Sequence, residues 1–143
     1  MFAKDIYVAR RRELCRRVGK GLILLPGNVE SPFNYPNNTY HFRQDSTFLY
    51  YFGHSVPSLV GVIDVESGKE TLYGDDFTVD DIIWMGPQPT IRDFAEQVGV
   101  AGAKPMASLA EDIQRAIALG REVHYLPPYR GETKLMMSDL LGI

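Results

Sequence analysis

Histidines, paired aspartates and a single cysteine are the side chains of this sequence with the most obvious use in chemistry. His41, His54 and His124 are far apart along the chain, and their spacing matches no metal-binding pattern. The aspartate pairs at 75–76 and 80–81 could attract a cation, or could place negative charge at a helix start. The histidines therefore indicate no metal site, and both interpretations of the aspartates stay open.

Cys15 lies among arginines, whose positive charge could lower the pKa of its thiol and make it reactive. The alternative is an ordinary small residue in the core or at its edge. The sequence contains no Gly-x-Ser-x-Gly elbow, no phosphate-binding Walker loop and no Gly-x-Gly-x-x-Gly motif. The residues alone therefore predict no catalytic constellation.

The composition is that of one globular domain, residues 1–143, with 45% hydrophobic and 23% charged residues. A net charge of −3 gives no reason to expect nucleic acid or an anionic membrane as a partner. One cysteine excludes an internal disulfide, and no apolar stretch approaches the roughly 20 residues of a membrane span. Because the first residues contain no signal-peptide core, we expect a cytoplasmic location.

Residues 5–18 predict an amphipathic helix that ends at Gly19. Its apolar stripe consists of Ile6, Ala9 or Arg10, Leu14 and Val18. The helix is otherwise basic, with arginines at 10, 11, 12, 16 and 17. These arginines predict either a surface for an acidic partner or a solvated face whose side-chain stems cover apolar surface.

The segment 42–53, Phe-Arg-Gln-Asp-Ser-Thr-Phe-Leu-Tyr-Tyr-Phe-Gly, predicts a short buried helix around which the chain is organised. Asp45 or Ser46 can cap its first turn, and Gly53 can end it in the left-handed conformation. Its apolar face consists of Phe48, Tyr51 and Phe52.

Strands and further helices complete an α/β pattern. Apolar strands are predicted over 21–25, 58–64, 70–73 and 122–126, and a polar turn makes the middle two a hairpin of a mixed sheet. A long loop is predicted over 26–41. Helices are predicted over 80–83, 90–98 and 108–119, capped by Thr78, a Thr90–Asp93 box and a Ser108–Glu111 box. This alternation of helices and strands predicts a layered α/β domain.

The central segment also carries a resemblance to a known family. This segment resembles the amino-terminal domain of Xaa-Pro aminopeptidases, in the aminopeptidase P, prolidase and creatinase group. The residues that carry the resemblance are Phe-Arg-Gln-Asp-Ser, an aromatic run and Gly, followed by Pro and an apolar strand. The specific part spans about residues 40–86 and ends at Ile-Trp-Met-Gly. The resemblance implies a three-layer α/β/α domain with a mixed, ribonuclease-H-like sheet, but no nuclease activity.

The resemblance further implies that the catalytic centre lies outside this sequence. In the family, a dinuclear metal site, typically manganese, is held by Asp, His and Glu side chains of a carboxy-terminal pita-bread domain, which no segment here matches. The chain is then a non-catalytic N-terminal domain, with a linker near 140–143. Its implied partners are its own catalytic domain, further copies in a homo-oligomer and proline-containing peptides, from which the parent removes the residue before proline. The alternatives are a prolidase- or creatinase-type parent, or a free-standing α/β interaction module.

Two positions carry over from the family as substrate-adjacent across a subunit boundary. The residue after the Phe-Gly step is an arginine in creatinase relatives, and here it is His54, a weaker partner for an anion. Trp84 matches a tryptophan that lies near a neighbouring subunit's substrate pocket in aminopeptidase P relatives. The alternative is that Trp84 is a packing residue and His54 a turn residue. For the substrate-adjacent role, we expect both side chains to be at least partly exposed.

Overall fold

The computed structural model describes residues 1–29, 43–79, 83–84, 86–128 and 130–142. Five helices and five strands have their bounds within these residues. The helices are α1 (Lys4–Val18), α2 (Ser46–Phe52), α3 (Ile91–Gln97), α4 (Ala107–Ala118) and α5 (Gly131–Leu141). The strands are β1 (Leu22–Pro26), β2 (Val60–Asp64), β3 (Glu70–Tyr73), β4 (Gly102–Lys104) and β5 (Val123–His124). The loop predicted over 26–41 and the helix predicted over 80–83 fall largely outside the described residues.

The five strands form one mixed sheet in the order β4-β3-β2-β1-β5. Among the three central strands, β2 runs antiparallel to both β1 and β3, with Leu24 opposite Val62 and Val62 opposite Thr71. Each outer strand, β4 or β5, runs parallel to the strand beside it. The predicted hairpin and the predicted mixed sheet are therefore confirmed.

β5 is shorter than the strand predicted over 122–126. Only Val123 and His124 pair with β1, and the next two side chains, Tyr125 and Leu126, are exposed. Two prolines follow, and because proline has no backbone N–H group they cannot extend the ladder of hydrogen bonds.

Side chains of the sheet alternate between two cores, one on each face. On the first face, Ile23, Leu25 and Ile63 pack with side chains of α1, α2 and α3. On the second face, Leu24 and Val62 pack with side chains of α4 and α5. The chain therefore forms the three-layer α/β/α domain that the resemblance implies, while the likeness to ribonuclease H stays a prediction.

Asp75 and Asp76 follow β3 and bind helix starts on opposite faces of the sheet. Asp76 Oδ1 accepts a hydrogen bond from the backbone N–H of Ile91 in α3 at 2.7 Å. Asp75 Oδ1 accepts one from the N–H of Met106, directly before α4, at 3.1 Å. Neighbouring side chains of an extended chain point to opposite sides, so one aspartate pair can serve both helices. Of the two interpretations of this pair, the geometry supports negative charge at a helix start.

The capping box predicted for α3 is confirmed. Thr90 Oγ1 accepts from the N–H of Asp93 at 3.1 Å, and Asp93 Oδ2 accepts from the N–H of Thr90 at 2.8 Å. Gly99 follows the helix with a φ of 74°, as expected for a residue that ends it.

The box predicted at Ser108 and Glu111 is wrong. α4 begins one residue earlier, at Ala107, and Met106 occupies the N-cap position without a capping side chain of its own. Ser108 therefore lies inside the first turn. Glu111 pairs with Arg115 at 2.9 Å, one turn further along the helix, instead of reaching back to its start.

Replacing Asp75 with alanine is expected to lower the free energy of unfolding by about 1 kcal/mol, because the start of α4 loses its acceptor. The matched control, Ser108→Ala, is expected to change it by less than about 0.5 kcal/mol. Urea denaturation followed by circular dichroism measures both variants. A larger loss for Ser108→Ala than for Asp75→Ala would contradict this assignment of the cap.

The sequence pattern does not predict α5, and it places a linker at 140–143. Residues 140–141 belong to the helix, which buries Met137 and Leu140 in the second core. Leu135 of the same helix is largely exposed. Apolar residues thus lie on more than one side of α5, and no single amphipathic stripe marks the helix in the sequence.

Candidate functional site

α2, the helix of the most strongly patterned segment, has the ends that its sequence predicts. Asp45 Oδ2 accepts a hydrogen bond from the N–H of Phe48 at 2.9 Å, which places a carboxylate at the positive end of the helix dipole. Gly53 ends the helix in the left-handed region, with a φ of 70°. Phe48 and Phe52 are fully buried and Tyr51 is half-buried, so the predicted aromatic face is confirmed.

Gln44 joins the chain segments on both sides of α2. Its Oε1 accepts from the backbone N–H groups of Asn28 at 2.8 Å and Asp45 at 3.0 Å. Its Nε2 donates to the carbonyl groups of His54 at 3.0 Å and Val56 at 2.9 Å. These bonds use the full hydrogen-bonding capacity of the amide. The Gln-Asp pair of the sequence motif therefore fixes where the chain enters α2 and where it leaves.

Two arginines of α1 satisfy carbonyl groups at the C-terminus of α2. Arg10 Nη1 donates to the carbonyl of Tyr50 at 2.9 Å, and Arg11 Nη1 donates to that of Tyr51 at 2.8 Å. The last carbonyls of a helix have no partner within it and carry the negative end of its dipole, so cations are favourable there. These two arginines therefore serve the fold.

Arg11 is completely buried, which corrects the interpretation of this residue as part of a solvated face. Its Nε pairs with Glu70 of β3 at 2.7 Å, and its Nη2 donates to the carbonyl of Val98, after α3, at 2.5 Å. The stripe of α1 that faces the core runs through Tyr7 and Arg11, whereas Ile6 is exposed. One guanidinium group thus links three helices and the sheet.

His54 is buried, so the expected exposure is wrong for this residue. It is only 3% exposed, and its Nε2 lies 2.7 Å from the carbonyl oxygen of Phe94. Because a carbonyl can only accept, Nε2 carries the proton and donates. The imidazole also packs edge-on against the ring of Phe94, with 4.9 Å between centroids. Burial lowers the pKa of His54, and the hydrogen bond to Phe94 opposes this effect only in part.

The domain is expected to lose stability through His54 as the pH falls through the ordinary histidine pKa of about 6.5. The pKa of His54 is lowered in the folded state, so as the pH falls the unfolded chain binds a proton first, near an ordinary pKa of about 6.5. The contribution is complete above that pH and is lost as the pH falls towards the folded-state pKa.

Thermal denaturation from pH 8 to pH 5 measures this linkage. The Tm of the wild type should fall further than that of His54→Gln, whose amide can donate in place of Nε2. Comparing the two proteins at pH 8 separates the loss of ring packing from the titration. Parallel pH profiles for the two proteins would contradict the assignment to His54.

Trp84 lies on the surface, as predicted. Its side chain is 87% exposed, and those of Ile83 and Val79 in the same stretch are also mainly exposed. Large aromatic side chains are usually well buried, and exposed tryptophans are enriched among residues that dominate binding interfaces. Trp84 is therefore a candidate contact residue for another molecule.

The segment that carries Trp84 is anchored at both ends. Asp76 at its beginning holds the N–H of Ile91 at its end, at 2.7 Å. Thr90 closes the capping box of α3 directly before that point. A fixed base of this kind positions an exposed side chain without placing it in the core.

Within the residues that the structure describes, no three His, Cys, Asp or Glu side chains lie close enough together to hold a metal ion. These residues therefore do not fit the dinuclear site of the family. Burial raises the pKa of the Cys15 thiol, which supports the interpretation as an ordinary residue at the edge of the core rather than a reactive one. None of the described helices is both long and apolar enough to cross a membrane.

Fold and surface together define a three-layer α/β/α domain with an exposed tryptophan and, in the part of the chain that is described, no cluster of side chains that could hold a metal ion. The family model of the aminopeptidase P N-terminal domain matches residues 7–125. The chain belongs to this family of aminopeptidase P N-terminal domains.

Two relatives illustrate the similarity. A human Xaa-Pro dipeptidase is 30% identical over 102 residues, which cover 66% of this chain and 21% of the relative. A probable Xaa-Pro aminopeptidase of Aspergillus fumigatus is 34% identical over 98 residues, covering 68% of this chain and 20% of the relative. The chain thus matches about a fifth of the length of these relatives.

Solved structures give the same fold. Aminopeptidase P from E. coli in its low-pH form superposes with a TM-score of 0.81 at 20% identity, covering 99% of this chain and 33% of that one. The same enzyme with the inhibitor Pro-Leu gives a TM-score of 0.77 at 19% identity, over 96% of this chain and 32% of that one. At this identity the likeness establishes the fold alone.

Proposed function

We propose that this chain is the non-catalytic N-terminal domain of a metal-dependent Xaa-Pro aminopeptidase, a cytoplasmic enzyme that removes the N-terminal residue preceding proline. The family match over residues 7–125 supports this proposal. The chain spans about a fifth of the length of its relatives, so we assign the activity to a larger protein. The described residues offer no cluster of metal ligands, which supports assigning the two divalent ions, manganese by resemblance, to a separate catalytic domain.

Within that protein, we assign to this domain contacts between subunits of a homo-oligomer and part of the substrate entrance. The observation that carries this assignment is Trp84, which is 87% exposed on a segment with an anchored base. An indole offers a broad, rigid apolar surface, and proline-containing peptides bind to aromatic side chains of this kind. His54 is buried against Phe94, so we assign it to packing between α2 and α3 rather than to contact with substrate.

A prolidase-type parent is the second candidate, because the human relative at 30% identity is a Xaa-Pro dipeptidase. The two candidates differ in the length of the peptide that is cleaved. The protein encoded by the complete reading frame should be assayed on Xaa-Pro dipeptides and on tripeptides with proline in second place, with and without manganese. Cleavage of tripeptides supports the aminopeptidase, and cleavage of dipeptides alone supports the prolidase.

The isolated 143-residue chain is the control in this assay, and it should be inactive on both peptides. Metal-dependent cleavage by this chain alone would overturn the non-catalytic assignment. A reading frame that ends at residue 143 would instead favour a free-standing interaction module, and a longer protein inactive on every Xaa-Pro peptide would favour a creatinase-type parent.

Replacing Trp84 with alanine in the full protein is expected to lower kcat/KM for proline-containing peptides roughly 5- to 30-fold, the range for loss of an interface aromatic. Tm and metal content should stay near their wild-type values because the side chain is 87% exposed. Leu135→Ala on α5 is the matched control, since this apolar residue is also exposed. Full activity of Trp84→Ala would contradict the contact with substrate, and unfolding of the variant would assign Trp84 to packing instead.

A further inference from the structure

A second exposed apolar surface lies between the first residues of the chain and α2. The Arg10 surface, as we call it, lines a shallow groove of about 520 Å³ and consists of Met1, Phe2, Arg10, Leu49 and Tyr50. The buried Tyr7 also borders this groove. Met1 is 71% and Phe2 is 60% exposed, and Leu49 and Tyr50 are also exposed. Aromatic residues, methionine and arginine are the types enriched at the centres of protein interfaces.

Contacts within the chain hold the Arg10 surface together. The N–H of Phe2 donates to the hydroxyl of Tyr7 at 3.1 Å, which holds the start of the chain against α1. The guanidinium carbon of Arg10 lies 4.0 Å from the ring centroid of Tyr50 and 5.1 Å from that of Phe2. A surface held in place in this way loses little conformational entropy when it binds.

The charged side chain that lines this groove is the positive Arg10. Among the described residues, no acidic side chain lines the groove and no carboxylate lies within ion-pair distance of Arg10. Glu13, almost one turn further along α1, is held by Arg16 at 2.6 Å and by Arg17 at 3.0 Å, and these arginines lower its pKa to about 2. The groove is thus apolar and positive on a chain whose net charge is −3.

We propose that the Arg10 surface is a docking site for an apolar segment of a partner protein that carries a carboxylate. The carboxylate pairs with the guanidinium of Arg10, which makes one hydrogen bond to the rest of the described chain and keeps further donors. An apolar side chain beside it packs on the exposed rings of Phe2 and Tyr50. Electrostatic complementarity selects acidic segments over neutral ones of the same shape.

Nuclear magnetic resonance titration of the ¹⁵N-labelled 143-residue chain tests this proposal. The probes are the peptides acetyl-Phe-Asp-Leu-Glu-amide and its uncharged analogue acetyl-Phe-Asn-Leu-Gln-amide. The acidic peptide should shift the amide signals of Leu49 and Tyr50 and bind at least about fivefold more tightly than the analogue, as expected for a charge-assisted contact. Raising the salt from 50 to 500 mM should remove most of this preference.

Two variants complete the experiment. Arg10→Gln should abolish the preference for the acidic peptide, whereas Arg12→Gln, at an exposed position of the same helix, should keep it. Equal affinity of the two peptides for the wild type, no shifts at this surface, or equal effects of the two variants would overturn the proposal. Concentration-dependent dimerisation that Arg10→Gln removes would also overturn it, because a second copy would then be the occupant.

Discussion

Replacing Arg11 with methionine is expected to lower the free energy of unfolding by about 3–5 kcal/mol, the usual cost of removing one partner of a buried ion pair. Methionine fills much of the same volume but leaves the carboxylate of Glu70 largely buried without its cation. It also leaves the carbonyls of Tyr51 and Val98 without the donors that reach them at 2.8 Å and 2.5 Å. The loss is comparable with the whole stability of a marginal domain, about 5–15 kcal/mol.

Arg12→Met is the matched control, because Arg12 is the next residue of α1 and its side chain is exposed. This change should alter the free energy of unfolding by less than about 0.5 kcal/mol. Urea denaturation with a common m-value measures both variants. Similar midpoints for Arg11→Met and Arg12→Met would contradict the buried network. The free energy of unfolding of Arg11→Lys should lie between those of Arg11→Met and Arg12→Met. Lysine keeps the positive charge, but a single ammonium group cannot reproduce the fixed geometry of the guanidinium.

Phe52→Ala is expected to cost about 3–5 kcal/mol through the cavity that it leaves. The ring is fully buried, stacks on Phe48 at 5.3 Å between centroids, and lies under the guanidinium of Arg11 at 5.3 Å. It occupies the space over Gly61 of β2, where a Cβ atom would overlap the ring. Leu49→Ala, on the exposed side of α2, is the control and should cost less than about 1 kcal/mol.

The contact between Phe52 and Gly61 permits a sharper test. Gly61→Ala should destabilise the wild type, because its methyl group overlaps the ring, but should destabilise the Phe52→Ala protein much less. The coupling energy of this double-mutant cycle should exceed about 0.5 kcal/mol, which is typical of residues in contact. Additive effects would show that the ring does not lie over Gly61.

The elements that were predictable from the sequence are those whose signals are local. Asp45 and Gly53 lie directly beside α2 and indicate where it begins and ends. The Thr90–Asp93 box likewise indicates where α3 begins. The start of α4 could not be predicted in this way, because the N–H group of Met106 donates its hydrogen bond to Asp75, a residue 31 positions earlier in the sequence. When the capping residue is distant in sequence, the residues next to the helix do not indicate where the helix begins.

Arg11 shows the same limit for the core. Tyr7, Arg11 and Val18 share one helical face. An arginine on such a face is nevertheless predicted to be solvent-exposed unless the partners of its charge are known. Those partners, Glu70 and the carbonyls of Tyr51 and Val98, are brought together only by the tertiary structure.

The same limit decided the outcome at the candidate site. Both exposures were expected from position alone, Trp84 at the end of a predicted helix before a proline-rich turn and His54 directly after a helix stop. The expectation is confirmed for Trp84 and wrong for His54. The left-handed turn at Gly53 instead directs the imidazole towards the carbonyl of Phe94. No periodicity in the sequence encodes that direction.

The hydrogen bond between Asp76 and Ile91 joins two positions that lie 15 residues apart along the chain. An insertion between Asp75 and Asp76 is expected to turn one carboxylate away from its helix, because neighbouring side chains of an extended chain point to opposite sides. The spacing of this one aspartate pair therefore ties the starting points of helices in the two outer layers to each other.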